Sequence, residues 1–289
     1  MKYTIKSFKA QFPTDAACLA FLFVTRYGKS GPVCECGKTK CFYPRTGRKT
    51  YACSWCGHEV SPTVDTIFHK SPTPLLSWFH AIFLFATAKN GVAAKEIERQ
   101  IGVTYKCAWR MARQIRLLMA EDDGTLGGML EADESYIGGK HSGGKRGVGA
   151  EGKTPVFGVV ERGGRIRTKA IPNARGATVM PLLAQYAAPG SSLSTDESNI
   201  YNCAESMGFI HEKVKHSAGQ YVRGAVHTQT IDGFWSQFKR SLNGTYHSVS
   251  PKHLQHYLDE FCFRYSHRGD FRPLPETLFS RAGQTFLGA

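Results

Sequence analysis

The sequence predicts an α/β protein whose main domain follows two smaller N-terminal modules, and three observations carry that expectation. Cys34, Cys36, Cys53 and Cys56 fall in two pairs across a basic stretch. In VAAKEIERQIGVTYKCAWRMARQIRLLM two segments of helical apolar period are separated by Gly102. Beyond residue 121, short apolar strands alternate with helical segments, the pattern of a layered α/β domain. The expected division is a zinc ribbon with an N-terminal helix over 1–70, a helix-turn-helix over 71–120, and an α/β domain over 121–289.

With 289 residues, 42% of them hydrophobic and 12% aromatic, the chain is globular rather than disordered. Its formal charge of +14 points to a polyanionic partner. Nucleic acid is favoured over a membrane surface because no apolar run reaches the length of a span, and AACLAFLFV lies between Asp15 and Arg26 without the layout of a signal peptide. Nine cysteines, an odd number, suit metal ligation and free thiols better than a disulfide framework. A cytoplasmic location is expected.

Residues 1 to about 30 suggest one amphipathic helix after Pro13 and Thr14. Gly37 and Gly57 directly follow the cysteine pairs, where backbone must turn tightly beneath a metal, and four thiolates would close a tetrahedral Zn²⁺ site. The stretch between the pairs alternates like a hairpin turning at Arg45 to Arg48; Cys41 within it reads as a packed thiol and His58 as a reserve ligand. PLLSWFHAIFLFATA is a buried helix, and the two helices around Gly102 match the helix-turn-helix pattern, leaving Lys106, Arg110 and Arg113 toward DNA. A helical hairpin with a solvated basic face is the plainer alternative.

Residues 121–128 form an acidic, glycine-rich linker. A basic glycine tract carrying Lys145 and Arg146 follows the first strand and suits a loop gripping a phosphate backbone. Its end, GVGAEGKT, fits the phosphate-loop pattern by letter, but a polar tract precedes it and a strand follows, where that motif needs a strand and then a helix. VFGVVE and RIRTKAI form a hairpin through Arg162 to Gly164, ARGATVMPLLAQYA a helix, and Pro251 to His267 a final helix.

Three carboxylates stand out. Asp133 lies in the strand MLEADESYI, Asp196 where SSLSTD hands over to a helix, and Asp232 on the helix Val226 to Asn243. That last helix has an apolar stripe of Ile231, Phe234, Trp235, Phe238 and Leu242, while Asp232 and Lys239, seven positions apart, share its polar face with Arg240 alongside for DNA. A solvated polar face on a core helix explains this helix alone, whereas three carboxylates from two strands and a helix are what a two-Mg²⁺ phosphoryl-transfer site needs. Glu134 points to the opposite strand face from Asp133; Glu131 and Glu197 stand as substitutes.

ADESYIGGK, STDESNIY, HTQTIDGFWSQFKR and GTYHSVSPKHLQHYLDEFCFRYSHR resemble the core of bacterial insertion-sequence DDE transposases of the ISXO-like class, which carry an N-terminal zinc ribbon and are related to Merlin transposons. The resemblance spans nearly the whole chain. It implies a ribonuclease-H-like fold for 121–289, with Asp133, Asp196 and Asp232 as ligands for Mg²⁺ or Mn²⁺ and Lys239 near a phosphate. The implied activity is binding of terminal inverted repeats, strand cleavage and transfer to target DNA, by a homo-oligomer on DNA. The family's usual residue at the third position is Glu, one methylene longer than Asp232. Rival readings are a structure-specific nuclease of the same fold and a zinc-ribbon DNA-binding regulator whose catalytic centre has lapsed.

Overall fold

Thr4 and Ser7 cap each other at the start of the first helix, α1 (Ile5–Gln11), and Pro13 ends the run before a second N-cap, Thr14, opens α2 (Asp15–Tyr27). The computed structural model describes residues 3–121, 124–138, 152–214, 227–270 and 274–284. The helix expected after Thr14 is α2, and the Thr4–Ser7 capping box starts a further, unexpected helix upstream of it. By compactness the chain divides into Met1–Met119 with Asp270–Ala289, and Ala120–Gly269.

In the first unit β1 (Phe42–Pro44), β2 (Tyr51–Cys53) and β3 (Glu59–Val60) form a small antiparallel sheet. The turn between β1 and β2 closes with Arg48 N–H donating to the Arg45 carbonyl at 3.3 Å. The apolar helix α3 (Leu75–Thr87) starts at Pro74 without a side-chain cap of its own. Asp15 supplies one from α2: its carboxylate accepts from the N–H groups of Leu75 at 3.0 Å and Leu76 at 2.8 Å. Next come α4 (Ala94–Ile101) and α5 (Tyr105–Leu117). Gly102, left-handed at φ 77°, ends the first, and Thr104 caps the second.

The second unit is a mixed α/β structure. Its strands are β4 (Met129–Gly138), β5 (Lys153–Glu161), β6 (Ile166–Ala170), β7 (Ser192–Thr195) and β8 (Ile210–Lys213). They lie in the order β6-β5-β4-β7-β8; β5 is antiparallel to both β6 and β4, and β7 and β8 run parallel to β4. Helix α6 (Gly176–Tyr186) covers one face, where Val179, Met180 and Leu183 pack with Leu130, Ala132, Phe157, Val159 and Leu193. On the other face Val156, Val160 and Ile166 pack with α7 (Gln229–Ser241) and α8 (Leu254–Ser266). Successive residues of β5 thus serve opposite layers, as the two-residue strand period requires.

Two expectations shift here. Asp196 is followed by two 3-10 turns, Asn199–Tyr201 and Glu205–Met207, rather than a helix, and the helix expected from Pro251 opens as a 3-10 turn, Pro251–His253, before α8. The last helix, α9 (Leu274–Ala282), went unread in the sequence and belongs with the first unit: the Phe279 ring lies 4.9 Å from that of Phe12 and 5.2 Å from that of Phe79. The stretch 121–289, read as one domain, is therefore divided, with 270–289 returned to the N-terminal unit. Among the described residues no helix is long and apolar enough to cross a membrane.

Candidate metal and nucleic-acid sites

Asp133 occupies the middle of β4 opposite Gly158 of β5. The parallel ladder between β4 and β7 ends at the pair Glu131 and Ser194, so Asp133 on β4 and Asp196, the residue after β7, each stand two residues beyond it. Asp196 is held in a tight turn in which its Oδ1 accepts from the Ser198 N–H at 3.0 Å. Helix α7 buries Ile231, Phe234, Trp235 and Phe238, the stripe read in the sequence, and leaves Asp232, Lys239 and Arg240 exposed on its other side. Thr228, at the N-cap, donates its hydroxyl to Asp232 Oδ2 at 3.2 Å.

The structure brings these groups together electrostatically. Burial, followed by the negative charges of Glu134, Asp232 and Asp196, raises the Asp133 carboxyl to about 8. Partial desolvation lowers the Lys239 ammonium; Asp133 and Asp232 act on it as attractive charges and Lys153 as a repelling one. The patch thus joins carboxylates from a strand, a strand end and a helix to two lysines. Hard carboxylate oxygens are the donors that Mg²⁺ and Mn²⁺ prefer, and a cluster that pushes a proton onto one of its own members has room for added positive charge.

Several neighbours were not read as partners in the sequence, because they meet only through the fold. Glu134 lies on the other side of β4 and accepts from the hydroxyl of buried Tyr201; burial and the charge of Asp196 raise it to about 7 against that hydrogen bond. Glu131, weighed as a substitute ligand, is fully buried and already accepts from Arg162, Thr230 and Ile231, which takes it out of that role. Gly158 has a packing signature only in three dimensions: a Cβ there would sit 2.7 Å from Cζ2 of Trp235. Glu197 is exposed, and Lys145 and Arg146 lie outside the described residues.

In the first unit Cys34, Cys36, Cys53 and Cys56 converge, with all four sulfurs within 4.8 Å of one another, the one such group of potential ligands among the described residues. Cys34 and Cys56 sulfurs are 3.4 Å apart and those of Cys36 and Cys53 3.8 Å. A tetrahedral Zn²⁺ with bonds of about 2.3 Å has sulfur–sulfur edges of about 3.8 Å, so the donor set fits zinc in chemistry and size. Gly37 and Gly57 take φ 78° and 75°, as turns beneath a metal require. The turns close with N–H of Gly37 donating to the Cys34 carbonyl and N–H of Gly57 to that of Cys53. Cys41 is buried beside the cluster, its sulfur 3.5 Å from the Lys38 carbonyl, and His58 faces Glu35 at 3.4 Å instead of the sulfurs.

On α5 Ala108, Met111, Ala112 and Ile115 are buried, while Lys106, Arg110 and Arg113 are exposed at helical spacing along the opposite side. Arg110 also reaches the His69 carbonyl at 3.5 Å.

Residues 125–266 match the ISXO2-like transposase domain. A Halobacterium salinarum protein described as an uncharacterized protein in transposable element ISH50 is 28% identical over 232 residues, covering 74% of this chain and 77% of that protein. An uncharacterized transposase-like protein of Haemophilus influenzae is 26% identical over 102 residues, 35% of this chain and 81% of its own length. With a mixed α/β unit carrying clustered carboxylates, the chain falls in the class of transposase-domain proteins. Over 125–266 it is similar to the ISXO2-like transposase domain, and the relatives named with it support an insertion-sequence transposase.

Proposed function

We propose that this transposase-family protein binds the terminal inverted repeats of its element, cleaves DNA strands and joins them to target DNA in a Mg²⁺-dependent reaction. The observation that carries the reading is the mutual charge interaction of Asp133 with Asp232 and Asp196, from three separate elements, beside Lys239. The sheet supports a ribonuclease-H-like assignment: three antiparallel strands lead with β4 at the centre, and β7 and β8 follow parallel to it.

In this reading Asp133, Asp196 and Asp232 hold the divalent ions. Bound there, such ions would lower the proton affinity of an attacking oxygen and offset charge on the phosphate. The chain's own part is placement. Strand β4 would hold Asp133, the turn after β7 Asp196, and α7 Asp232 together with the Lys239 ammonium, a point charge for a non-bridging phosphate oxygen. Lys106, Arg110 and Arg113 on the second helix of a helix-turn-helix contact the repeat, with Arg240, Lys145 and Arg146 along the phosphate backbone. Cys34, Cys36, Cys53 and Cys56 hold a structural Zn²⁺, and the protein acts as a homo-oligomer on DNA.

The test uses the full chain with labelled DNA bearing the element's ends. Asp133→Asn, Asp196→Asn and Asp232→Asn are each expected to lower Mg²⁺-dependent cleavage at least a hundredfold while repeat binding stays within a factor of about two. Cleavage without joining would mark a nuclease, and absence of both from the parent a lapsed regulator. A parental rate in Asp232→Asn would remove that residue from the ligand set.

A further inference from the structure

The first turn of α7 has a gap that its own sequence does not fill. Its N-cap, Thr228, gives no side-chain hydrogen bond to the N–H groups that follow; its hydroxyl is turned to Asp232 instead. Helix-opening N–H groups have no intrahelical partner and need one from elsewhere. Here the partner is Glu131, on β4 two residues before Asp133. One of its oxygens accepts from the N–H groups of Thr230 at 2.8 Å and Ile231 at 3.1 Å. The other accepts from the Thr230 hydroxyl at 2.8 Å and from Arg162 Nε at 2.7 Å, with His227 Nδ1 3.1 Å away. Arg162 also donates to the His227 carbonyl at 2.8 Å, so the segment leading into the helix is tied to the same point.

A carboxylate offers about four lone-pair sites, and four hydrogen bonds fill them. Glu131 is completely buried, so neither a metal ion nor water competes for it. A negative charge at the opening of a helix is also favourable to the helix dipole. The result is a rigid link between two of the proposed metal ligands: Asp133 is two residues along the strand from the carboxylate, and Asp232 is the residue after Ile231.

We propose that Glu131 is a positioning residue which, by capping α7 from the neighbouring strand, sets where Asp232 stands relative to Asp133. The proposal rests on the reading of those two aspartates as divalent-metal ligands. Groups that orient metal ligands without touching the ion commonly govern affinity by 10- to 100-fold. Glu131→Gln keeps the size of the side chain but turns an amide toward donors that need acceptors, and it leaves every proposed ligand in place.

The test compares the parent, Glu131→Gln, Thr230→Val and Asp232→Asn as full-length proteins in two measurements. Hydrogen exchange of the metal-free proteins reads the amides of Thr230 and Ile231, and calorimetric titration reads Mg²⁺ affinity. Glu131→Gln is expected to lose protection at those amides while the sheet keeps its own, and to bind Mg²⁺ about tenfold more weakly. Thr230→Val, which removes a single hydroxyl donor, should show a smaller change in the same direction and carries the comparison if Glu131→Gln does not fold. Unchanged first-turn protection, or lost protection with parental Mg²⁺ affinity, overturns the proposal. If Asp232→Asn also leaves Mg²⁺ affinity unchanged, the ligand reading itself falls and takes the proposal with it; if affinity depends on Asp232 but not on Glu131, the positioning role alone is lost.

Discussion

Asp133 shows how a desolvated carboxyl can work against its own fold. Its carboxyl, raised by burial and then by its acidic neighbours to about 8, holds a proton when folded that an unfolded chain releases near pH 4. Between about pH 4 and pH 8 the native state therefore binds more protons than the unfolded state, and the stability of metal-free protein falls as pH rises through that window. Below the window both states are protonated and above it both are ionised, so the contribution stops changing. Asp133→Asn removes the titration. In chelator at pH 8 the variant is expected to unfold a few degrees above the parent, with the difference shrinking toward pH 4, in thermal unfolding followed at both values. A variant melting at or below the parent at pH 8 would show that the carboxylate is not strained in the folded protein.

At the scale of elements the decisive contact is α7 on the sheet. Trp235 and Ile231 lie over Gly158, directly across the ladder from Asp133, and a Cβ at 158 would stand 2.7 Å from Trp235 and 3.3 Å from Ile231. The missing side chain lets the helix approach β5 closely. Gly158→Ala is expected to destabilise by about 1–3 kcal/mol through overpacking and to weaken Mg²⁺ binding as α7 is displaced. Trp235→Phe in the same chain should recover much of both losses, measured by denaturant unfolding and metal titration; no recovery would mean that the helix does not rest on this contact. The helix itself could be read from sequence, because Ile231, Phe234, Trp235, Phe238 and Leu242 repeat with its period. So could the zinc-type cysteine set, whose pairs and glycines are local. What fixes the helix could not be read so: Glu131 meets Ile231 across 100 positions, and Tyr201 meets Glu134 across 67. No local pattern marks Gly158 either, since an uncrowded glycine in a strand looks the same. The first helix, α1, could not be read because the Thr4–Ser7 pair lacks the acidic or amide residue that usually announces a capping box.

For the whole molecule, the telling element is α9. Phe279 packs against Phe12 and Phe79 and lies 6.2 Å from Phe8 and 6.4 Å from Phe21, so a ring contributed from near the end of the chain completes an aromatic core begun near its start. Phe279→Ala should cost about 3–5 kcal/mol in the unit that carries the cysteine cluster and α5. Urea unfolding followed by a probe in that unit is expected to shift, while the Ala120–Gly269 unit keeps its own midpoint; equal shifts in both would show that the two unfold as one. The same arrangement fixes an order of events during synthesis. A ribosome finishes the carboxylate-bearing unit before it delivers the helix that closes the other, so the newborn protein holds that unit complete while the unit with the cysteine cluster still waits for its last ring.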